Sequence, residues 1–202
     1  MKKLKFLCLA PCFLAAICDP ADDPCGLSEP ENYVITVENI SKFYAVNETI
    51  WLNSEVSSKL FNSCDESENE EIIYDSAVFL DGIFVLKLNN QSEFNAIIVP
   101  ELTVNYDVGT NFSNDRCIEA INYLPILSSD NSFYNYRVGV SINAPGDYCI
   151  VSARSSLFNS DDENNAEIFE AYNTLDNKIK FNSCETILTR NGTEGHYFFT
   201  IQ

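Results

Sequence analysis

Three kinds of side chain in this sequence could carry chemistry: thirty acids, one histidine and eight cysteines. Two carboxylates can hydrolyse a glycosidic bond, but thirty acids provide no spacing that selects one pair. A catalytic triad needs a base, and His196 is the only histidine in a chain without a G-x-S-x-G nucleophile motif. We therefore expect His196 to be structural, and the sequence assigns no catalytic residue.

Oxygen-rich loops make calcium the one cofactor for which the sequence offers ligands. The candidates are Asp161, Asp162 and Glu163, which stand beside Asn164, and residues 65–68 form a second acidic loop. Neither loop matches the D-x-D-x-D-G pattern of a helix-loop-helix calcium site. The favoured interpretation is a solvated acidic loop, so no cofactor is expected and calcium remains the alternative. Zinc is disfavoured because no C-x-x-C pair is present.

Cysteines outside the first seventeen residues are candidates for structural disulfides if the chain is exported, because proteins outside the cytoplasm meet oxidising conditions. The segments around Cys64 and Cys184 share the sequence F-N-S-C, and each ends a short apolar stretch. We predict two disulfides, Cys64–Cys184 and Cys117–Cys149. Cys25 is then left over.

The first seventeen residues have the layout of a secretion signal. Three lysines precede an apolar stretch that is too short to span a bilayer, which needs about 20 apolar residues. Residues 14–17 (L-A-A-I) before Cys18 resemble a bacterial lipobox, although that motif places Gly, Ala or Ser where Ile17 stands. Acids at 19, 22 and 23 resemble the export signal of Bacteroidetes surface lipoproteins. The alternative is an ordinary cleaved signal with Cys18 paired to Cys25.

This resemblance implies lipidation at Cys18 and a place at the outer membrane or cell surface, and otherwise in the periplasm or outside the cell. The formal net charge of −18 disfavours binding to nucleic acid and to anionic lipid, since both require clustered basic residues. A membrane contact is therefore expected only through the N-terminal lipid. The partners that remain are a surface protein or a glycan.

The pattern beyond the leader predicts an all-β chain. Residues 18–32 are rich in proline and acid and indicate a tether, and the folded domain is expected over 33–202. Residues 133–142 alternate cleanly, with Tyr134 and Tyr136 on one face, as a half-buried strand requires. Many such short strands with turns between them favour an antiparallel β-sandwich, with a split into two sandwiches near Asp130 as the alternative.

Three local features refine this prediction. Asp81-Gly82 between two apolar runs predicts a two-residue hairpin turn. Apolar residues at helical spacing predict one short helix near 164–175. Trp51 is expected in the core or half-buried on a sheet.

Residues 144–151 (A-P-G-D-Y-C-I-V) resemble the turn and strand near the end of immunoglobulin-like bacterial surface sandwiches. The resemblance implies the immunoglobulin-like sandwich architecture, but neither a disulfide plan nor a binding surface. We expect an exported, non-catalytic binding or adhesion module. The alternatives are a secreted carboxylate-dependent hydrolase and a structural accessory subunit of a surface complex.

Overall fold

The computed structural model describes residues 26–31, 33–61, 70–91, 93–112, 119–153, 157–158, 165–173, 175–192 and 195–202. The leader, the lipidation candidate Cys18 and most of the tether lie outside the described residues. So do Cys25, Cys64, Cys117 and the calcium candidates Asp161, Asp162 and Glu163. Within the described ranges, no helix is both long and apolar enough to cross a membrane.

The predicted antiparallel β-sandwich is confirmed, and a further layer covers one side of it. The front sheet contains β1 (Val34–Val37), β3 (Thr49–Ser57), β8 (Leu102–Val108), β11 (Ile126–Leu127), β12 (Phe133–Ile142) and β14 (Leu157–Phe158). The middle sheet contains β2 (Phe43–Tyr44), β6 (Asp81–Leu88), β7 (Ala96–Ile98), β9 (Thr110–Asn111), β10 (Ile121–Leu124), β13 (Gly146–Ser152) and β17 (Tyr197–Ile201).

The back layer consists of one helical turn and a hairpin. These elements are α1 (Glu167–Glu170), β15 (Lys178–Ser183) and β16 (Thr186–Asn191). A small ladder of β4 (Lys59–Phe61) and β5 (Glu70–Ile72) extends from the end of β3. The helix predicted at 164–175 is thus reduced to a single turn, whose residues Ile168 and Phe169 are buried against the middle sheet.

The central pair of the front sheet is β3 with β12, aligned from Phe133 opposite Ser57 to Ser141 opposite Thr49. Residues alternate between the two faces along both strands, because successive side chains of a strand point to opposite sides. The inward set on β12 is fully buried, which confirms the period-two prediction for this segment. It comprises Tyr134, Tyr136, Val138, Val140 and Ile142.

The middle sheet is buried on both faces. One face joins the front sheet in a core that includes Tyr148, Ile150 and Phe199, and the other packs on the back layer through Phe84, Cys149 and Phe198. Strands β6 and β13 therefore carry long unbroken runs of buried residues rather than an alternation. Of the four faces of the two large sheets, the outer face of the front sheet is therefore the one that no other layer of the described residues covers.

The predicted Asp81-Gly82 hairpin was wrong, because both residues begin strand β6 after a 3-10 turn at Ser76–Phe79. Asp81 is buried, and its Oδ2 accepts a hydrogen bond from the Tyr123 hydroxyl at 2.7 Å. Gly82 is required by close packing, since a Cβ there would lie 2.8 Å from the side-chain oxygen of Asn122. The glycine thus serves the approach of two strands rather than a turn.

The predicted Cys117–Cys149 disulfide does not form, because Cys149 is a free, buried thiol on β13. Its side chain lies in the core between the middle sheet and the back layer. Cys184 is disulfide-bonded, and since Cys149 is free, its partner lies outside the described residues. The predicted Cys64–Cys184 pair therefore stays a prediction.

We expect the Cys149 thiol to resist iodoacetamide in the native protein and to react once the protein is unfolded. Burial raises the pKa of this thiol well above its ordinary value, and alkylation requires an accessible thiolate. The measurement is the mass of the peptide that contains Cys149 after labelling with and without denaturant. Equal labelling in both conditions, or recovery of that peptide in a disulfide, would contradict the buried position.

Candidate functional site

A groove of about 550 Å³ runs across the open outer face of the front sheet. Its lining residues come from β1, β3, β12 and the end of β8, with Glu38 directly after β1. Those that define its chemistry are Val34, Glu38, Asn53, Glu55, Asn135 and Arg137. Most of its lining residues have polar or charged side chains, in contrast to the apolar cores on the other side of the sheet.

Arg137 is held at the centre of the groove by two carboxylates. Its Nε lies 2.6 Å from Glu38 Oε1, its Nη2 lies 2.7 Å from Glu38 Oε2, and its Nη1 lies 3.0 Å from Asp107 Oδ2. The two bonds to Glu38 form the parallel fork that guanidinium and carboxylate groups favour. Asn53 Nδ2 also donates to Glu38 Oε1, at 3.0 Å.

Trp51 supports the same arginine from below. The guanidinium carbon of Arg137 lies 3.9 Å from the centroid of the Trp51 ring, within the range of a cation–π contact. The ring lies across Gly139 on the neighbouring strand, where a Cβ would come within 2.9 Å of the indole. Trp51 is half-buried, which is one of the two positions expected for it, and its packing against glycine fixes the position of the arginine.

Glu38, the carboxylate paired with Arg137 through two hydrogen bonds, has a pKa below its ordinary value. Hydrogen bonds from Arg137, and then from Asn53, lower the pKa of Glu38 from its ordinary 4.5 to about 2. Because the folded-state pKa lies below the unfolded one, the pair stabilises the folded protein above about pH 4.5. That contribution is lost as the pH falls towards 2.

Replacing Arg137 with leucine is expected to return the pKa of Glu38 most of the way towards 4.5. A titration of the carboxyl carbons by NMR measures the change. The matched control is Asp107→Asn, which removes the other partner of Arg137 and keeps both bonds to Glu38, so the pKa should stay near 2. A Glu38 that already titrates near 4.5 with Arg137 in place would show that the pair is not formed in solution.

His196 is not among the residues that line the groove, and Tyr134 and Tyr136 lie in the core behind it. His196 is buried, its Nε2 lies 2.6 Å from the carbonyl oxygen of Asn191, and burial lowers its pKa. Tyr134 and Tyr136 are core residues, as expected from the alternation, and Tyr136 contacts the groove from below. A structural role fits all three.

Sequence reasoning missed Glu38, Asn53 and Arg137 as a group. The pattern did place Asn135 and Arg137 on the polar face of their strand, but it gave no partner for either. Glu38 stands 99 positions from Arg137, and only the pairing of β1 and β12 with β3 brings them together. Among the described residues, no group of three or more His, Cys, Asp or Glu side chains is arranged to hold a metal ion.

Comparison with known proteins adds no relative on which a role could be based: no family model, curated protein or solved structure matches this chain.

Proposed function

We propose that this protein is an exported, non-catalytic binding module that meets its ligand on the outer face of the front sheet. The observation that supports the proposal is the groove on the outer face of the front sheet, which no other layer of the described residues covers. Its central arginine is fixed in place by Glu38, Asp107 and Trp51 before any ligand arrives. A rigid polar surface of this kind binds at a lower cost in conformational entropy.

A carboxylate-dependent hydrolase is the weaker alternative for the same groove. Glycoside hydrolysis needs an acid whose pKa is raised, so that it can donate a proton near neutral pH. The pKa of Glu38 is shifted in the opposite direction, and its oxygens accept bonds from Arg137 and Asn53. The groove is therefore better suited to binding a ligand than to hydrolysing one.

An accessory subunit of a surface complex is favoured by a different observation. Strand β8 pairs only with β12 among the described residues, and it contains neither lysine nor proline. Such an edge can accept a strand from another protein. In that case, a partner would protect the β8 amides from hydrogen exchange without affecting those of β1.

The groove is tested by applying the purified protein to arrays of neutral oligosaccharides and of basic, acidic and uncharged peptides. We expect binding to one class that is lost in Glu55→Arg, on the outer face, and kept in Glu170→Arg, on α1. The bound probe should keep its mass after prolonged incubation. Binding that both variants lose equally, or that neither loses, would contradict the assigned face, and cleavage of the probe would favour the hydrolase.

Export and lipidation at Cys18 form a separate part of the proposal, supported by the leader and the lipobox-like residues before it. The intact mass of the protein from its native host tests it. We expect a chain that starts at Cys18 and carries added acyl mass. An unacylated chain that starts elsewhere would instead mean a freely exported protein.

A further inference from the structure

The groove and its immediate surroundings hold more negative than positive charge. Three carboxylates, those of Glu38, Glu55 and Asp107, face a single guanidinium, that of Arg137. The chain as a whole carries a formal charge of −18. The local imbalance and the overall field both favour a cationic ligand and repel an anionic one.

Arg137 is not available to bind an anionic ligand, because its guanidinium is already paired with two carboxylates. Each of its three side-chain nitrogens donates to a carboxylate oxygen, at 2.6, 2.7 and 3.0 Å. The Trp51 ring lies against the same guanidinium. An anionic ligand would therefore have to displace Glu38 or Asp107 to reach a positive charge.

Glu55 is the groove carboxylate that remains available. Its side chain is exposed on the outer face, and it makes no ion pair or side-chain hydrogen bond to another described residue. Directly across the strand pair stands Asn135, whose amide oxygen is buried without a hydrogen-bond partner among the described residues. Glu55 is therefore the acceptor that a ligand can reach, because the Asn135 oxygen has almost no exposed surface.

The chemistry of this single available carboxylate selects an organic ammonium over a metal ion. Calcium takes six to eight oxygen ligands, and the groove has one available carboxylate. A lysine ammonium carries three donors on a flexible aliphatic stem. Val34 and Val108 line the groove and provide apolar surface against which such a stem can pack.

An apolar rim on the same face favours a polypeptide as the carrier of that ammonium. Val34, Ile126 and Phe133 are 53%, 50% and 40% exposed, and the pairing of β11, β12 and β3 places the last two on the outer face. Binding surfaces on proteins combine apolar contacts with a few polar anchors in this way. A free polyamine would leave this rim unused.

We propose that the groove binds an extended, lysine-bearing segment of a basic protein partner, with a lysine ammonium paired to Glu55. This inference rests on the proposed function and specifies the ligand of the same face. Since the pair forms at a partly exposed site, its contribution is modest and screened by salt.

The probe is a fluorescent peptide of alternating lysine and serine, and its binding to the full mature protein is followed by fluorescence anisotropy. We expect Glu55→Gln to weaken binding about fivefold, the upper range for an exposed ion pair. Raised salt should weaken it further, and acetylation of the lysines should abolish it. The matched control Glu170→Gln, an exposed acid on α1, should bind as the unaltered protein does.

The outcomes separate this inference from the proposed function. Equal weakening by Glu55→Gln and Glu170→Gln would mean unspecific attraction to an acidic protein, and it would overturn the inference. So would undiminished binding of the acetylated peptide. A third outcome is that the lysine peptide does not bind, whereas a neutral oligosaccharide binds and Glu55→Arg abolishes that binding. The inference about the ligand is then wrong, but the assignment of the binding face is supported. If no probe binds in a manner that depends on this face, both fail. Thermal unfolding of each variant checks that the fold is kept.

Discussion

Phe198→Ala and Phe199→Ala are each expected to lower the free energy of unfolding by about 3–5 kcal/mol, the cost of removing a buried phenylalanine side chain. Both residues are fully buried, although they are adjacent on β17 and therefore point to opposite faces of the middle sheet. Phe199 packs against Tyr148 and Tyr197 in the core shared with the front sheet. Phe198 packs against Phe169 of the back layer, with ring centroids 5.6 Å apart.

Urea unfolding with disulfides intact measures both effects, and Phe43→Ala provides the matched control. Phe43 is 50% exposed at the end of β2, so its loss should cost less than about 1 kcal/mol. If Phe198→Ala costs no more than this control, the back layer does not pack on the middle sheet in solution. A large cost for Phe198 and a small one for Phe199 would instead mean that the two sheets are not packed together.

The side of a strand that faces the core could be predicted from the sequence only where the other side of the strand is open. The alternation along 133–142 is legible because the outward residues, such as Asn135 and Arg137, are free to be polar. The middle sheet has no such contrast, since both of its faces are buried, and β6 is apolar without a break from Ile83 to Leu86. An unbroken apolar run shows no alternation that would mark where the strand begins. The Asp81-Gly82 pair at the start of β6 therefore resembled a turn between two apolar runs.

The groove could not be predicted because its parts are distant in sequence. Arg137 meets Glu38 over 99 positions and Asp107 over 30. Neither separation corresponds to a local motif. The position of Trp51 depends on Gly139 of the neighbouring strand, a contact that requires the register of β3 with β12. The sequence leaves two positions open for the indole, the core or a half-buried place on a sheet, and the structure shows the second.

Tyr123→Phe is expected to lower the free energy of unfolding by about 1–3 kcal/mol, the cost of removing a donor from a buried polar group. Tyr123 donates to Asp81 at 2.7 Å, and both side chains lie in the core beneath the front sheet. Burial raises the pKa of Tyr123 well above its ordinary value, so the hydroxyl keeps its proton at neutral pH. The aromatic contact with Tyr136, at 4.0 Å between ring centroids, is kept in the variant.

Tyr106→Phe is the matched control, because it removes the same atom from a half-buried ring on β8. The Tyr106 hydroxyl donates to Asn111 at 3.3 Å in an exposed position, so its loss should change the stability by less than about 0.5 kcal/mol. Tyr136 contacts the groove from below while its ring packs on Tyr123, and this places the Asp81 pair directly under the proposed binding face. A Tyr123→Phe variant as stable as Tyr106→Phe would mean that the buried carboxylate does not depend on this donor. A selective loss of stability would show that this polar contact inside the core stabilises the fold.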